Sequence, residues 1–321
     1  MTQRRIVIGT RQSQLAVWQA DYVTARLKTL YPDSEVVLQF FVTHGDRVID
    51  RPLPEIGGKG VFTAELESAL LAGEIDLAVH SLKDLPTDLD AAFTIGAIPE
   101  RASPYDALIS RTGQALAALP NGATVGTSSL RRVAQIKAAR PDLKTLSLRG
   151  NVPTRINKAL AADGPYDAIV LAEAGLDRLA MAGHITEILT ADMMLPAPAQ
   201  GALAIQCRAD DTVIRSLLAP LNHLETQIAV EAERAFLNAL DSGCRLPVAA
   251  LAKIDGAILR LTGRVASLDG STLITLRESI DTVNHGGAIA LGIKLAQAAL
   301  EQGAGDLLDT IRDAMRKDMP A

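Results

Sequence analysis

Short β-branched runs alternate with amphipathic stretches along the first part of the chain, and no other feature limits its fold so strongly. Residues 4–9 read as a strand, 12–31 as a helix, 36–42 as a strand, 62–72 as a helix and 75–80 as a strand. A helix between successive strands returns the chain to the same edge, so this rhythm predicts a mostly parallel sheet covered by helices. A second unit of the same kind follows, with strands near residues 107–110, 124–127, 145–148 and 168–171 and helices starting near Ser128 and Pro153. Residues 193–208, where Pro196 and Pro198 precede a strand-like run, read as a crossing back into the first unit.

After Pro220 the rhythm changes. A long helix over 224–240 precedes strands near 248–253, 257–267 and 273–280, joined at the hairpin signals Asp255-Gly256 and Asp269-Gly270. Helices over 287–301 and on to about 317 complete a small α+β unit. At roughly 100 to 200 residues per domain, 321 residues suit two or three domains. We expect three: residues 1–99 with 195–219, residues 100–194, and residues 220–321. The first two share an echo. Gly9-Thr10-Arg11-Gln12-Ser13 and Gly126-Thr127-Ser128-Ser129-Leu130 each close a strand and open a helix, and Ile75-Asp76-Leu77-Ala78-Val79 resembles Tyr166-Asp167-Ala168-Ile169-Val170. Two similar lobes around a cleft would give this echo, and so would chance in any α/β chain.

A net charge of -5 speaks against a chain-wide nucleic-acid footprint or a basic membrane-binding face. No apolar run reaches the roughly 18 residues of a membrane span, and Met1 to Arg5 lead straight into a strand-like segment rather than a signal sequence. Two cysteines, Cys207 and Cys244, make no disulfide framework and no metal-ligand spacing. The expectation is a cytoplasmic protein with reduced thiols, no metal, no nucleic acid and no membrane.

Arginine outnumbers lysine by 23 to 9. A GC-rich genome gives such a bias, and so does recognition of carboxylates or phosphates, which a guanidinium fork grips by both oxygens. Position separates the two. Arg131 and Arg132 fall in the first turn after Ser128-Ser129, at the positive end of a helix dipole, where only something anionic offsets them. Arg11 sits in the matching turn of the first unit, and Arg149, Arg155 and Arg178 lie near other strand ends and helix starts. These are solvated or carboxylate-paired surface arginines, or a site for a ligand with several anionic groups, which open α/β sheets bind at those ends. In His80-Ser81-Leu82-Lys83-Asp84-Leu85-Pro86, Lys83 and Asp84 fall on a loop at the same edge, as a surface pair or as a carboxylate kept ionised for proton and charge work. Cys244, in Asp241-Ser242-Gly243-Cys244-Arg245, is a buried apolar residue or an attachment point. Cys207, in an apolar run, suits burial better.

Together the His80–Pro86 block, Gly126-Thr127-Ser128-Ser129-Leu130-Arg131-Arg132, Leu148-Arg149-Gly150-Asn151 with Thr154-Arg155, and Glu233-Arg234-Ala235-Phe236 leading to Gly243-Cys244 resemble the porphobilinogen deaminase (hydroxymethylbilane synthase) family. The resemblance runs from Ile6 to at least Pro247, with its blocks in the family's order. It implies an α/β fold of two periplasmic-binding-protein-like lobes around a cleft, plus a small C-terminal α+β domain with an antiparallel sheet. It also implies a dipyrromethane cofactor held through a thioether on Cys244, four head-to-tail condensations of porphobilinogen with loss of ammonia, and hydrolytic release of hydroxymethylbilane for tetrapyrrole biosynthesis.

By the same resemblance, Asp84 contacts pyrrole N–H groups and supports a cationic pyrrolenine, with Lys83 beside it. Lys83, Ser129, Arg131 and Arg132 bind cofactor carboxylates, with Thr127 adjacent. Arg11, Ser13, Arg149, Arg155 and Arg178 hold the incoming ring and growing chain, while Gln200 and Phe62 line the cleft. The enzyme is expected to be a monomer that hands its product to uroporphyrinogen-III synthase. Ser242, Arg245, Ala199 and Glu55 depart from the commonest family pattern, leaving loop and lid geometry open. The glycine-rich residues 43–60 are expected to form a lid. A ligand-sensing protein on the same two lobes, or a cysteine hydrolase, are the competing classes; the second would need a base near a thiol that the sequence does not offer.

Overall fold

The computed structural model describes residues 4–47, 63–240 and 246–317. Its elements run β1 (Arg5–Arg11), α1 (Gln14–Leu30), β2 (Glu35–Phe41), α2 (His44–Arg47), α3 (Ala64–Leu71), β3 (Leu77–Ser81) and β4 (Phe93–Ala97). They continue with β5 (Asp106–Ser110), β6 (Thr124–Gly126), α4 (Leu130–Ala139), β7 (Lys144–Leu146), α5 (Val152–Leu160), β8 (Ala168–Ala172), α6 (Glu173–Arg178) and β9 (Glu187–Leu189). Then come β10 (Leu203–Arg208), α7 (Thr212–Leu218), α8 (Leu224–Ala239), β11 (Val248–Asp255), β12 (Ile258–Ala266), β13 (Leu273–Ile280), α9 (His285–Glu301) and α10 (Ala304–Lys317).

The fold is α/β, with two five-stranded sheets and one three-stranded antiparallel sheet among the described residues. The five-stranded sheets are ordered β2-β1-β3-β10-β4 and β7-β6-β8-β5-β9. Position by position they also agree in sense. The first three strands of each run parallel, whereas β10 is antiparallel to β3 and β4, and β5 is antiparallel to β8 and β9. In each sheet four strands therefore point the same way, as the rhythm predicts, and one runs against them. The reversed strands, β5 and β10, are those by which the chain enters one sheet from the other, and no βαβ crossover dictates their direction.

The internal echo is a structural one. Gly9 and Gly126 occupy matching places where an added Cβ would fall 2.3 Å from Ile75 Cδ1 and 2.6 Å from Tyr166 Cδ1, the matching residues of the other motif. Next to them, Asp76 Oδ2 accepts the Val7 N–H at 2.7 Å and Asp167 Oδ2 accepts the Thr124 N–H at 2.8 Å. Each aspartate thus ties the start of one strand to its neighbour, and each glycine admits the bulky residue before that aspartate.

Apolar residues of α1, α7 and the first sheet close one core around Ile6, Ile8, Val23, Leu27 and Ile205. Cys207 is buried there as expected, and burial pushes its thiol up to about 11. In the third unit α8 and α9 cover the antiparallel sheet, with Phe236 fully buried between them and β12. Strands β4 and β9 and helix α7 are absent from the sequence reading. No helix among the described residues is long and apolar enough to cross a membrane.

Candidate active site

Strand β3 delivers its chain into one turn of 3₁₀ helix, Leu82–Asp84, where the sequence reading expects a loop. Leu82 and Leu85 are fully buried against Val230 of α8, which leaves Lys83 half-buried and Asp84 exposed between them. Arg234, also on α8, grips the turn from behind by donating to the carbonyls of Leu82, Leu85 and Pro86 at 3.4, 3.1 and 2.6 Å. Asp84 opens onto a concavity lined by Arg11, Ser13, Gln19, His80 and Ser81. Ser13 caps α1 there, its Oγ accepting the Ala16 N–H.

Beneath this concavity His80 is buried, with Nε2 3.0 Å from Gln206 Oε1, and Gln206 donates in turn to Glu67. Burial, aided by Arg11 and opposed by the Gln206 hydrogen bond, lowers His80 from 6.5 to about 4. The unfolded chain then takes up a proton below pH 6.5 that the folded chain refuses until about 4. Stability present above pH 6.5 is therefore lost as the pH falls toward 4, on the order of 3 kcal/mol for a shift of this size. Chemical unfolding across that window is expected to show the slope in the parent protein and to lack it in His80→Asn; an equal slope in both would place the proton elsewhere.

On the second sheet, Arg131 and Arg132 turn inward from the first turn of α4. The anion that offsets them is Asp106 at the start of β5, which is 0 % exposed. Its Oδ2 accepts from Arg131 at 2.7 Å, and its Oδ1 accepts from Arg132 at 3.1 and 2.6 Å. Burial alone would raise the Asp106 pKa; the two guanidiniums overcome it and hold the carboxyl well below the usual carboxylate range. Nothing in the sequence around Asp106 distinguishes it from any aspartate before a strand.

Gln200 joins the two clusters. Its Nε2 donates to Asp106 Oδ1 at 2.9 Å and to the Pro104 carbonyl at 2.8 Å, so its Oε1 faces Lys83 and accepts from Nζ at 3.2 Å. Expected to line the cleft, Gln200 is instead fully buried, spanning Lys83 and Asp106. Burial, countered in part by Asp84, lowers the Lys83 ammonium from 10.5 to about 8.

Around one buried carboxylate the fold has thus gathered three cations, and Arg155 and Arg149 add more. Arg155 donates to the Gly150 carbonyl at 2.6 Å. Burial, reinforced by Arg132 and Arg149 and opposed by Asp84, lowers it to about 10, and burial lowers Arg149 too. Arg131 Nε is buried without a hydrogen-bond partner among the described residues. Thr127 Oγ1 accepts the Ser129 N–H at 3.2 Å, whereas the Ser129 side chain makes no capping bond. Such a surface is built for an anionic ligand.

Arg178 stands apart from this group. It lies 5.6 Å from the Trp18 ring on α1 and donates to the Gly201 carbonyl at 2.7 Å, bracing one lobe against the other. Cys244, Phe62, Glu55, Ser242, Arg245 and most of residues 43–60 lie outside the described residues. Ala199 has φ 61, where glycine is at ease and alanine costs roughly 1 kcal/mol. Its N–H is held at 2.6 Å by Glu233 Oε2.

Glu233, 0 % exposed on α8, also takes a two-pronged ion pair from Arg101 at 2.7 and 3.0 Å and accepts the Ala252 N–H at 2.8 Å. Arg101 Nε in turn donates to the Gln200 carbonyl at 2.7 Å. Glu233 and Arg234 appear in the sequence only as part of a motif; their partners lie from 19 to 152 residues away, beyond the reach of any local pattern.

Two family profiles match the chain. "Porphobilinogen deaminase, dipyromethane cofactor binding domain" matches residues 6–216, and "Porphobilinogen deaminase, C-terminal domain" matches residues 227–301. A porphobilinogen deaminase of Pelotomaculum thermopropionicum is 46% identical over 98% of this chain and 99% of its own length. Another, of Xanthomonas euvesicatoria pv. vesicatoria, is 52% identical over 94% of this chain and 97% of its own. Among solved structures, the alkanesulfonate-binding protein SsuA of Xanthomonas axonopodis pv. citri is 14% identical over 75% of this chain and 76% of its own, with a TM-score of 0.34.

Proposed function

Since the chain belongs to the porphobilinogen deaminase family, a family of transferases in tetrapyrrole biosynthesis with a dipyrromethane-binding domain, we propose how its own residues carry out the reaction. The observation that carries the reading is the excess of positive charge: half-buried Lys83 and buried Arg131 and Arg132 around the single buried carboxylate of Asp106, with Arg131 Nε unpartnered among the described residues. A dipyrromethane bearing acetate and propionate groups fits this donor set, because planar guanidinium forks meet carboxylates two bonds at a time.

Lys83, Arg131 and Arg132 bind cofactor carboxylates, with Thr127 and Ser129 at the same helix end. When bound, the dipyrromethane supplies the free α-carbon onto which pyrrole units are added. Cys244 holds it through a thioether; in sequence it follows α8, the helix whose Glu233 and Arg234 brace the crossing segment and the Asp84 turn. Asp84 accepts the pyrrole N–H of porphobilinogen as the aminomethyl nitrogen departs with the bonding pair, so that the positive charge spreading over the ring meets a carboxylate. Arg11 and Ser13 on one side and Arg149 and Arg155 on the other hold the acidic groups of the incoming ring and growing chain, and Phe62 is assigned to the cleft by the family resemblance alone. Arg178 joins these arginines while bracing the two lobes through Trp18 and Gly201, and Gln200, read from the sequence as lining the cleft, acts by orienting Lys83.

The same reading makes the protein a cytoplasmic monomer with residues 1–99 and 195–219, 100–194, and 220–321 as its domains, and passes hydroxymethylbilane to uroporphyrinogen-III synthase. Peptide mapping of the purified protein by mass tests the attachment. The added dipyrrole mass is expected on the peptide that contains Cys244; its presence on the Cys207 peptide, or its absence from the protein, would overturn the assignment.

A further inference from the structure

Arg264 is a charged side chain on β12 of the third unit, only 8% exposed, and its reach crosses to the second sheet. Nε is fixed within its own sheet by Thr275 Oγ1 at 3.0 Å, while Nη1 donates to Gln135 Oε1 of α4 at 2.7 Å. Gln135 is itself buried, and all of its amide is used. Oε1 also accepts the Leu195 N–H at 2.8 Å, and Nε2 donates to the carbonyls of Leu195 at 3.0 Å and Arg131 at 3.2 Å.

The Leu195 carbonyl is the meeting point, because Arg131 Nη1 donates to it at 2.9 Å. Arg131 is therefore fixed on one side by Asp106 and on the other by a carbonyl that Gln135 holds in place. The amide of Gln135 has a single sensible orientation here: its oxygen faces two N–H donors and its nitrogen two carbonyls. A second contact presses on the same helix. Gly270, at φ 73 in the β12–β13 turn, lies so close to the end of α4 that an added Cβ would fall 2.2 Å from the Ala138 nitrogen. The third unit thus touches α4 at its middle and at its end.

We infer that Arg264 and Gln135 are positioning residues, which transmit the seating of the third unit to the Arg131 guanidinium and set its angle for a carboxylate of the cofactor. This rests on the reading of Arg131 as a cofactor-binding residue. Neither Arg264 nor Gln135 touches the ligand in this scheme. They act through the Leu195 carbonyl and the backbone of α4, and a misplaced Arg131 holds the dipyrromethane poorly while the reacting groups at Asp84 remain as they were.

The test uses the full-length protein in four variants, Arg264→Met, Arg264→Lys, Gln135→Met and Arg131→Leu, with two readouts: the fraction carrying the dipyrrole mass by intact-mass measurement, and the thermal midpoint. Arg264→Met and Gln135→Met are expected to lower the ratio of loaded to empty folded protein about tenfold, the effect of one displaced charge-assisted hydrogen bond. Arg264→Lys, which still offers an N–H to Gln135 Oε1, is expected to recover most of that loss. It also serves if Arg264→Met does not fold. A lowered midpoint with loading unchanged in Arg264→Met and Gln135→Met would reduce the pair to a structural clasp and overturn the inference, provided Arg131→Leu is empty. Full loading of Arg131→Leu would overturn the reading of Arg131 itself, and this inference with it.

Discussion

Asp84→Asn is expected to fold, to keep its dipyrromethane, and to turn porphobilinogen over at least about a hundredfold more slowly. The fold is spared because Asp84 is exposed, while the turn that carries it is anchored by buried Leu82 and Leu85 and by the Arg234 clamp on three carbonyls. The chemistry is not spared. Lys83 and Arg155 both feel the Asp84 charge, so removing it leaves a site with cations and no exposed counter-charge at the moment a cationic pyrrole forms. An amide preserves the shape and supplies no such charge. Asp84→Glu keeps the charge and displaces it, and is expected to lose less. Single-turnover rates with intact-mass control decide the matter: an Asn variant within a few-fold of the parent, cofactor in place, would leave Asp84 as a partner of Lys83 and Arg155 and no more.

Asp106→Asn is expected to lower the unfolding free energy by about 3 to 5 kcal/mol, the usual penalty when one member of a buried ion pair is removed and its partners remain. Arg131 and Arg132 then sit inside the protein without their carboxylate, and Gln200 must face an amide in place of Oδ1. A bound dipyrromethane offers carboxylates of its own, so the loss is expected to be larger in the cofactor-free protein than in the loaded one. The sign of the pH dependence follows from the depressed pKa. The unfolded carboxyl takes its proton near pH 3.8 and the folded one only at much lower pH, so the contribution of Asp106 is full above about 4 and falls away below. Urea unfolding at neutral and acid pH checks both points: the variant should lack the parent's loss of stability below pH 4, a window separate from that of His80. A variant as stable as its parent at neutral pH would mean that the two arginines find another anion.

Legibility differed sharply between elements. The helix over Leu224–Ala239 and the strand over Leu273–Ile280 fall almost where the sequence places them, since each declares a period over enough residues to stand above the noise. Strands β4 and β9 were not read, although β4 is as long as β3, which was. The sense of β5 and β10 was likewise hidden, because strand direction depends on which sheet edge the chain meets, and the residues of a strand are the same read either way. At the site, Lys83, Asp84 and the arginines were visible as unusual residue types at strand and helix ends. Asp106 and Arg101 were not, as each is an ordinary residue until its partner arrives, and Gln200 entered only through the family resemblance, without its partners Lys83 and Asp106.

What the sequence determined by itself is therefore what local periodicity and motif can encode: two α/β units with a matching glycine and aspartate, a third unit built on hairpins, and a set of cations waiting for acid groups. The tertiary structure decided how those cations are held. Asp106 lies 25 and 26 residues from Arg131 and Arg132, Gln200 lies 117 from Lys83, and Arg264 lies 129 from Gln135. Contacts of that span leave no trace in spacing or propensity, because only the closing of the sheets and the burial of the intervening chain bring the atoms within hydrogen-bonding distance, in surroundings where an unpaired charge is too costly to leave alone.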